Sequence, residues 1–80
     1  MKQRRDEILL REIARRIRVL RDKEDMSQID FLIATDINIS RLELAENNIS
    51  ISTLKAICDY FKISLSDFLK DIPVSEFSNE

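Results

Sequence analysis

The chain has 80 residues, with 13 Lys+Arg against 15 Asp+Glu, one Cys, one Pro, and neither Gly nor His. Such a length holds one small domain, and the composition excludes a Ser-His-Asp or Cys-His catalytic site, a Cys/His zinc site and a Gly-rich phosphate loop. A single Cys permits no intramolecular disulfide, no apolar run approaches a membrane span, and the charged N-terminus lacks signal-peptide organisation, so the expectation is a cytoplasmic protein with no metal and no cofactor.

The spacing of Leu9/Leu10, Ile13, Ile17 and Leu20 predicts a first amphipathic helix over about residues 4–23, with Arg11, Arg15 and Arg18 on another face. Residues 1–23 hold nine of the basic side chains against four acidic ones, so a formal charge of −2 conceals a basic first third and an acidic remainder. That basic run reads either as the electrostatic footprint of a nucleic-acid binder or as a solvated helix laced with ion pairs. Glu7–Arg11 and Glu12–Arg16 have the favourable acid-first i,i+4 order.

Met26-Ser27-Gln28-Ile29-Asp30 signals the next start, with Ser27 as cap and Asp30 in the capping-box position. A short helix with Phe31 and Leu32 inward is expected to end near Thr35-Asp36. Asn38 caps a third helix over residues 38–46, with Leu42 and Ala45 inward and a left-handed end at Asn47-Asn48. Ser50 or Ser52 opens a fourth helix carrying Leu54, Ile57, Cys58 and Phe61. Ser64-x-x-Asp67 opens a fifth with Leu65, Phe68 and Leu69, closed by Asp71-Ile72-Pro73. Cys58 lies on an apolar stripe and reads as a core residue; Phe31, Phe61 and Phe68 are core by period. The fold class is all-α, a compact five-helix bundle without strands. It comprises an extension at residues 1–12 continuous with the first helix, a domain at 13–70 and a tail at 71–80.

Two short helices, Ser27–Thr35 and Asn38–Glu46, separated by a turn of about three residues have the spacing of a helix-turn-helix. Here the chain resembles the lambda-repressor/Cro-like (XRE-type) family of DNA-binding domains. The resemblance runs from Ile13 to about Leu69. It is carried by Arg16-Ile17-Arg18-Val19-Leu20-Arg21, by Met26-Ser27-Gln28, by Leu42 through Asn47, and by Ser52-Thr53-Leu54 running into Phe61 through Leu69.

The resemblance implies a transcription regulator that binds double-stranded DNA as a homodimer on a palindromic operator, with no small-molecule effector. It implies a structural ion pair between Arg21 and Glu46. The DNA-facing set would be Gln28, Asn38, Ile39, Ser40, Arg41, Glu43 and Leu44, with Arg15, Arg16, Arg18 and Lys55 touching phosphates. Beside each role stands a plainer one: Asn38 as a cap, Arg41 in an ion pair with Glu43 or Glu46, Arg16 occupied by Glu12. Leu44 and Glu43 depart from the family's usual polar or basic readers, and both also suit a helix-turn-helix repurposed for protein contacts. Two surfaces are candidates for the dimer, the fifth helix with Val74 and Phe77, and the extension at residues 1–12. Relatives carry Gly where this chain has Asp25, Asp36, Asn48 and Lys62. The first three are expected in left-handed conformations, and Lys62 in some other turn geometry.

Overall fold

The computed structural model describes residues 6–45 and 48–72 of the chain. The readings of Glu46, Asn47, Pro73, Val74 and Phe77 fall outside these residues. The described residues form five helices and no strand: α1 (Glu7–Lys23), α2 (Gln28–Thr35), α3 (Ser40–Glu43), α4 (Ile51–Tyr60) and α5 (Leu65–Phe68).

The caps account for where each helix begins. Asp6 opens α1 by accepting from the Leu9 amide at 3.0 Å. Ser27 and Asp30 form the full reciprocal capping box at the start of α2. Ser50, not Ser52, caps α4 through the Thr53 amide, and Ser64 caps α5 through the Asp67 amide. Each of these side chains satisfies an amide that the helix itself leaves unpaired.

The helix ends show how a chain without glycine reverses direction. Asp25 (φ 53°) and Asp36 (φ 61°) are left-handed, as their short polar side chains allow. Lys62 also takes φ 59°, against expectation. The hydrogen bonds give the reason: the Lys62 amide donates to the Asp59 carbonyl and the Ile63 amide to the Cys58 carbonyl. That paired pattern closes the end of α4 only if the intervening residue is left-handed. The same pattern ends α1, where the Met26 amide reaches the Arg21 carbonyl and the Asp25 amide the Asp22 carbonyl. The third helix ends earlier than its sequence pattern suggests, with Ala45 left-handed at φ 58°.

One core unites the helices. Ile13 and Ile17 of α1, Phe31 of α2, Ile39 before α3, Leu54, Ile57 and Cys58 of α4, and Phe68 of α5 are all buried together. Phe31 stacks on Phe61 with ring centroids 5.6 Å apart, and Tyr60 meets Phe31 edge-on at 5.4 Å. Cys58 is fully buried, and desolvation pushes its thiol above its ordinary pKa, so it stays a neutral core group. Burial of Ile39 corrects its reading as an outward residue: the core needs it beneath α3, and it is 1% exposed.

Candidate nucleic-acid interface

The segment from α2 to α3 is tightly built. At the end of α2 the Thr35 hydroxyl donates to the Phe31 carbonyl at 2.8 Å and accepts from the Ile37 amide at 3.1 Å. Asp36 reverses the chain, and Asn38 then accepts from both the amide and the hydroxyl of Ser40, at 3.0 and 2.8 Å. That side chain acts one position ahead of the formal cap, Ile39, and replaces the bond Ile39 cannot make. The α3 helix that it opens is a single turn, four residues and about 6 Å long.

Burial around this turn is sharply divided. Ile39 and Glu43, four apart, both point inward, Ser40 and Leu42 are half-buried, and Asn38, Arg41 and Leu44 are exposed. The outward face is therefore a stripe of three residues spaced by three. Of the seven residues expected to face DNA, Asn38, Arg41 and Leu44 hold that stripe. Gln28 is exposed on α2, and Glu43 and Ile39 face the interior.

Glu43 points inward because α1 supplies its counter-charge. Arg21 continues the buried stripe of α1 one turn beyond Ile17. Its guanidinium binds the Glu43 carboxylate in bidentate fashion, Nε to Oε2 and Nη2 to Oε1, both at 2.8 Å. Its remaining nitrogen donates to the Met26 carbonyl at 2.7 Å. Arg21 thus meets the carboxylate of Glu43, which the third helix turns toward α1; the expected partner Glu46 lies outside the described residues. Gln28 joins the same group, its Nε2 donating to Glu43 Oε1 at 2.9 Å, and Arg18 approaches at 3.7 Å. Desolvation pushes the Glu43 pKa up, but the hydrogen bonds from Arg21 and Gln28 outweigh it and hold the carboxyl below its usual range. One buried carboxylate therefore ties α1, α2 and α3 together.

The other basic side chains divide between fold and surface. Glu12 accepts from Arg15 and Arg16, whose hydrogen bonds lower its pKa to about 2. Arg16 also donates to the carbonyls of Phe68 and Lys70, both at 2.6 Å, so it serves as a cap for the end of α5. Lys55 pairs with Asp59 within α4 at 2.6 Å. Arg15 and Arg18 remain more than half exposed. Arg41 is exposed and has no ion-pair partner among the described residues, since Glu43 is turned away from it.

Residues 16–74 match the family model of the Cro/C1-type helix-turn-helix DNA-binding domain. The chain belongs to that family. No curated protein and no solved structure matches the chain significantly. As a Cro/C1-type domain it is a DNA-binding module of a family that is not enzymatic. The described residues hold no group of three His, Cys, Asp or Glu placed for a metal, and no helix long and apolar enough to cross a membrane.

For this Cro/C1-type domain, the sequence pattern misplaces two residues of the expected DNA-facing set, Ile39 and Glu43, both of which are buried. A signal for Glu43 existed. Reading Ile39 as inward places Glu43 one turn later on the same face, and Arg21 falls on the inward stripe of α1 by the same i,i+4 rule.

Proposed function

We propose that the protein is a transcription regulator that binds double-stranded DNA sequence-specifically, with α3 in the major groove. The observation that carries this reading is Arg41: an exposed guanidinium with no ion-pair partner among the described residues, on the outward stripe of the second helix of a helix-turn-helix. Arginine offers paired donors that match the O6 and N7 acceptors of guanine. Arg18 is held beside α3 by Glu43 and serves a phosphate, as does Arg15 from further along α1. Gln28 spends one amide hydrogen on Glu43 and keeps the second for the DNA backbone. Arg16 and Lys55, already engaged with carbonyls or a carboxylate, contribute less.

A homodimer on a palindromic operator follows from the size of the reading face, because three side chains specify too little sequence alone. Two copies would place their α3 helices about 34 Å apart. Leu9 of α1, Ile49, Ile51 at the start of α4 and Leu69 after α5 line one apolar groove, which supports a dimer surface on this side of the domain. Ile51 is 67% exposed at its edge. The occupant is a second copy of the chain. The domain proper is residues 13–70, acting in the cytoplasm.

A second reading has its own observation. Ile29 and Ile33, at i,i+4 on α2, are 64% and 78% exposed, an apolar face that suits a protein partner. Selection from a pool of random duplexes at low salt decides between them. Retention of duplexes sharing an inverted repeat supports the proposal; failure to retain any duplex leaves the protein-contact reading.

A further inference from the structure

We infer that each half-site read by this domain has a specified core of only about two or three base pairs, a G·C pair beneath Arg41 and a T·A pair beneath Leu44 within two base steps of it. The inference rests on the major-groove reading above and deepens it. It comes from the outward stripe alone. The helix that carries the stripe is one turn long, and its neighbours Ile39 and Glu43 are spent on the core and on Arg21. Ser40 is half-buried with its hydroxyl donated to Asn38. No other side chain of α3 stands clear of the fold.

The chemistry of the three exposed positions then differs. Arg41 presents donors only, and guanine alone offers two acceptors side by side in the major groove. Leu44 keeps a helical backbone (φ −89°, ψ −3°), so it follows Arg41 on the same face at i,i+3. Their Cβ atoms are therefore about 5–6 Å apart, which at about 3.4 Å per base step is one to two steps along the groove. Leu44 is 65% exposed and has no hydrogen-bonding group. The thymine C5-methyl is the apolar feature of the groove that compensates its desolvation. Asn38 has its carbonyl oxygen saturated by the amide and hydroxyl of Ser40, so it can only donate. A lone donor fits a phosphate or any acceptor-bearing base, and orients the helix without specifying a base.

The test is selection from random duplexes, followed by replacement of each thymine of the selected site with uracil, which removes only the methyl group. The expected half-site has G and T within two steps and freedom elsewhere. For wild type, the uracil substitution at one position weakens binding about fourfold, and for Leu44→Ala, which remains folded by circular dichroism, it has no further effect. A half-site specified over about five or more contiguous base pairs overturns the inference while leaving DNA binding intact. So does a uracil substitution that is silent, or equally costly in Leu44→Ala. Failure to retain any duplex overturns the major-groove reading itself, and this inference with it.

Discussion

Glu43 and Arg41 sit two residues apart on the same turn of helix, and the fold treats them in opposite ways. Glu43 is 5% exposed, bound by Arg21 and Gln28. Arg41 faces solvent with no ion-pair partner among the described residues. Both are charged, so charge alone does not distinguish a structural residue from a functional one here. The distinction comes from which side of a single turn meets α1. A chain with several ion pairs spends some of its basic residues on its own carboxylates and carbonyls, as Arg16 and Lys55 show. The residues available for a partner are those the fold leaves over.

Removing Glu43 should therefore give the largest effect on stability and removing Arg41 almost none. Glu43→Ala leaves the Arg21 guanidinium in place without its carboxylate and is expected to cost about 3–5 kcal/mol in urea denaturation. In so small a domain that loss suffices to unfold much of the population. A loss under about 1 kcal/mol would show that the pair behaves as a surface ion pair. The buried pair also sets an acid response. A carboxyl whose folded pKa is depressed contributes stability that is complete above the ordinary carboxylate range and is lost as pH falls through the folded value. Glu43 is held low by Arg21 and Gln28 despite its burial, and Glu12 is lowered from 4.5 to about 2 by Arg15 and Arg16. Stability should decline as pH falls below 4.5 toward 2, and Glu43→Gln should flatten that decline. Identical pH profiles for the two proteins would assign the acid response elsewhere.

A second contrast lies between Ile39 and Leu44, two apolar residues flanking the same turn. Ile39→Ala should cost about 2–5 kcal/mol of stability by opening a cavity in the core. Leu44→Ala should stay within about 0.5 kcal/mol of wild type. Equal effects would place both on one face and abolish the three-residue stripe. Next in size is Arg41→Ala, expected to weaken the preferred duplex by about 1–3 kcal/mol while flattening sequence preference, with thermal stability unchanged. Arg18→Ala should instead weaken all duplexes alike and reduce the salt dependence of binding. A uniform loss in Arg41→Ala would make Arg41 a phosphate contact.

These contrasts also explain which parts of the molecule were legible in the sequence. The starts of α2 and α5 were, because each is written in one local residue with a cap function, Ser27 and Ser64, and that of α4 was narrowed to Ser50 or Ser52. The start of α1 at Glu7, capped by Asp6, lies later than the expected residue 4. The α1 stripe was legible because seventeen residues sample its period several times. The third helix was legible only in part: Leu42 packs against the core as expected, but four residues sample a period once, so inward and outward settings of Glu43 are both admissible. The choice between them is tertiary: it depends on Arg21 arriving from α1, 22 residues earlier in the chain. The role of Gln28 was partly visible. Its position next to the α2 cap is local, while its bond to Glu43 is set by the same choice.

A smaller expected gain in stability concerns how that short helix is stopped. Ala45 holds φ 58° directly after the exposed Leu44, a conformation in which a Cβ crowds the following carbonyl oxygen. Asp36 takes a similar φ in the helix-turn-helix turn, but its side chain can bond locally and offset the cost, which alanine cannot do. Ala45→Gly removes the crowding, worth about 1–2 kcal/mol, and returns part of it through the greater freedom of the unfolded chain. The net expectation is a stabilisation of about 0.5–1 kcal/mol in urea denaturation, with Asp36→Gly changing stability less. Because Ala45 lies outside the stripe, the sequence preference of Ala45→Gly should match that of wild type. An altered preference would mean that the left-handed stop itself aims Leu44, and would extend the reading face to the residue that ends it.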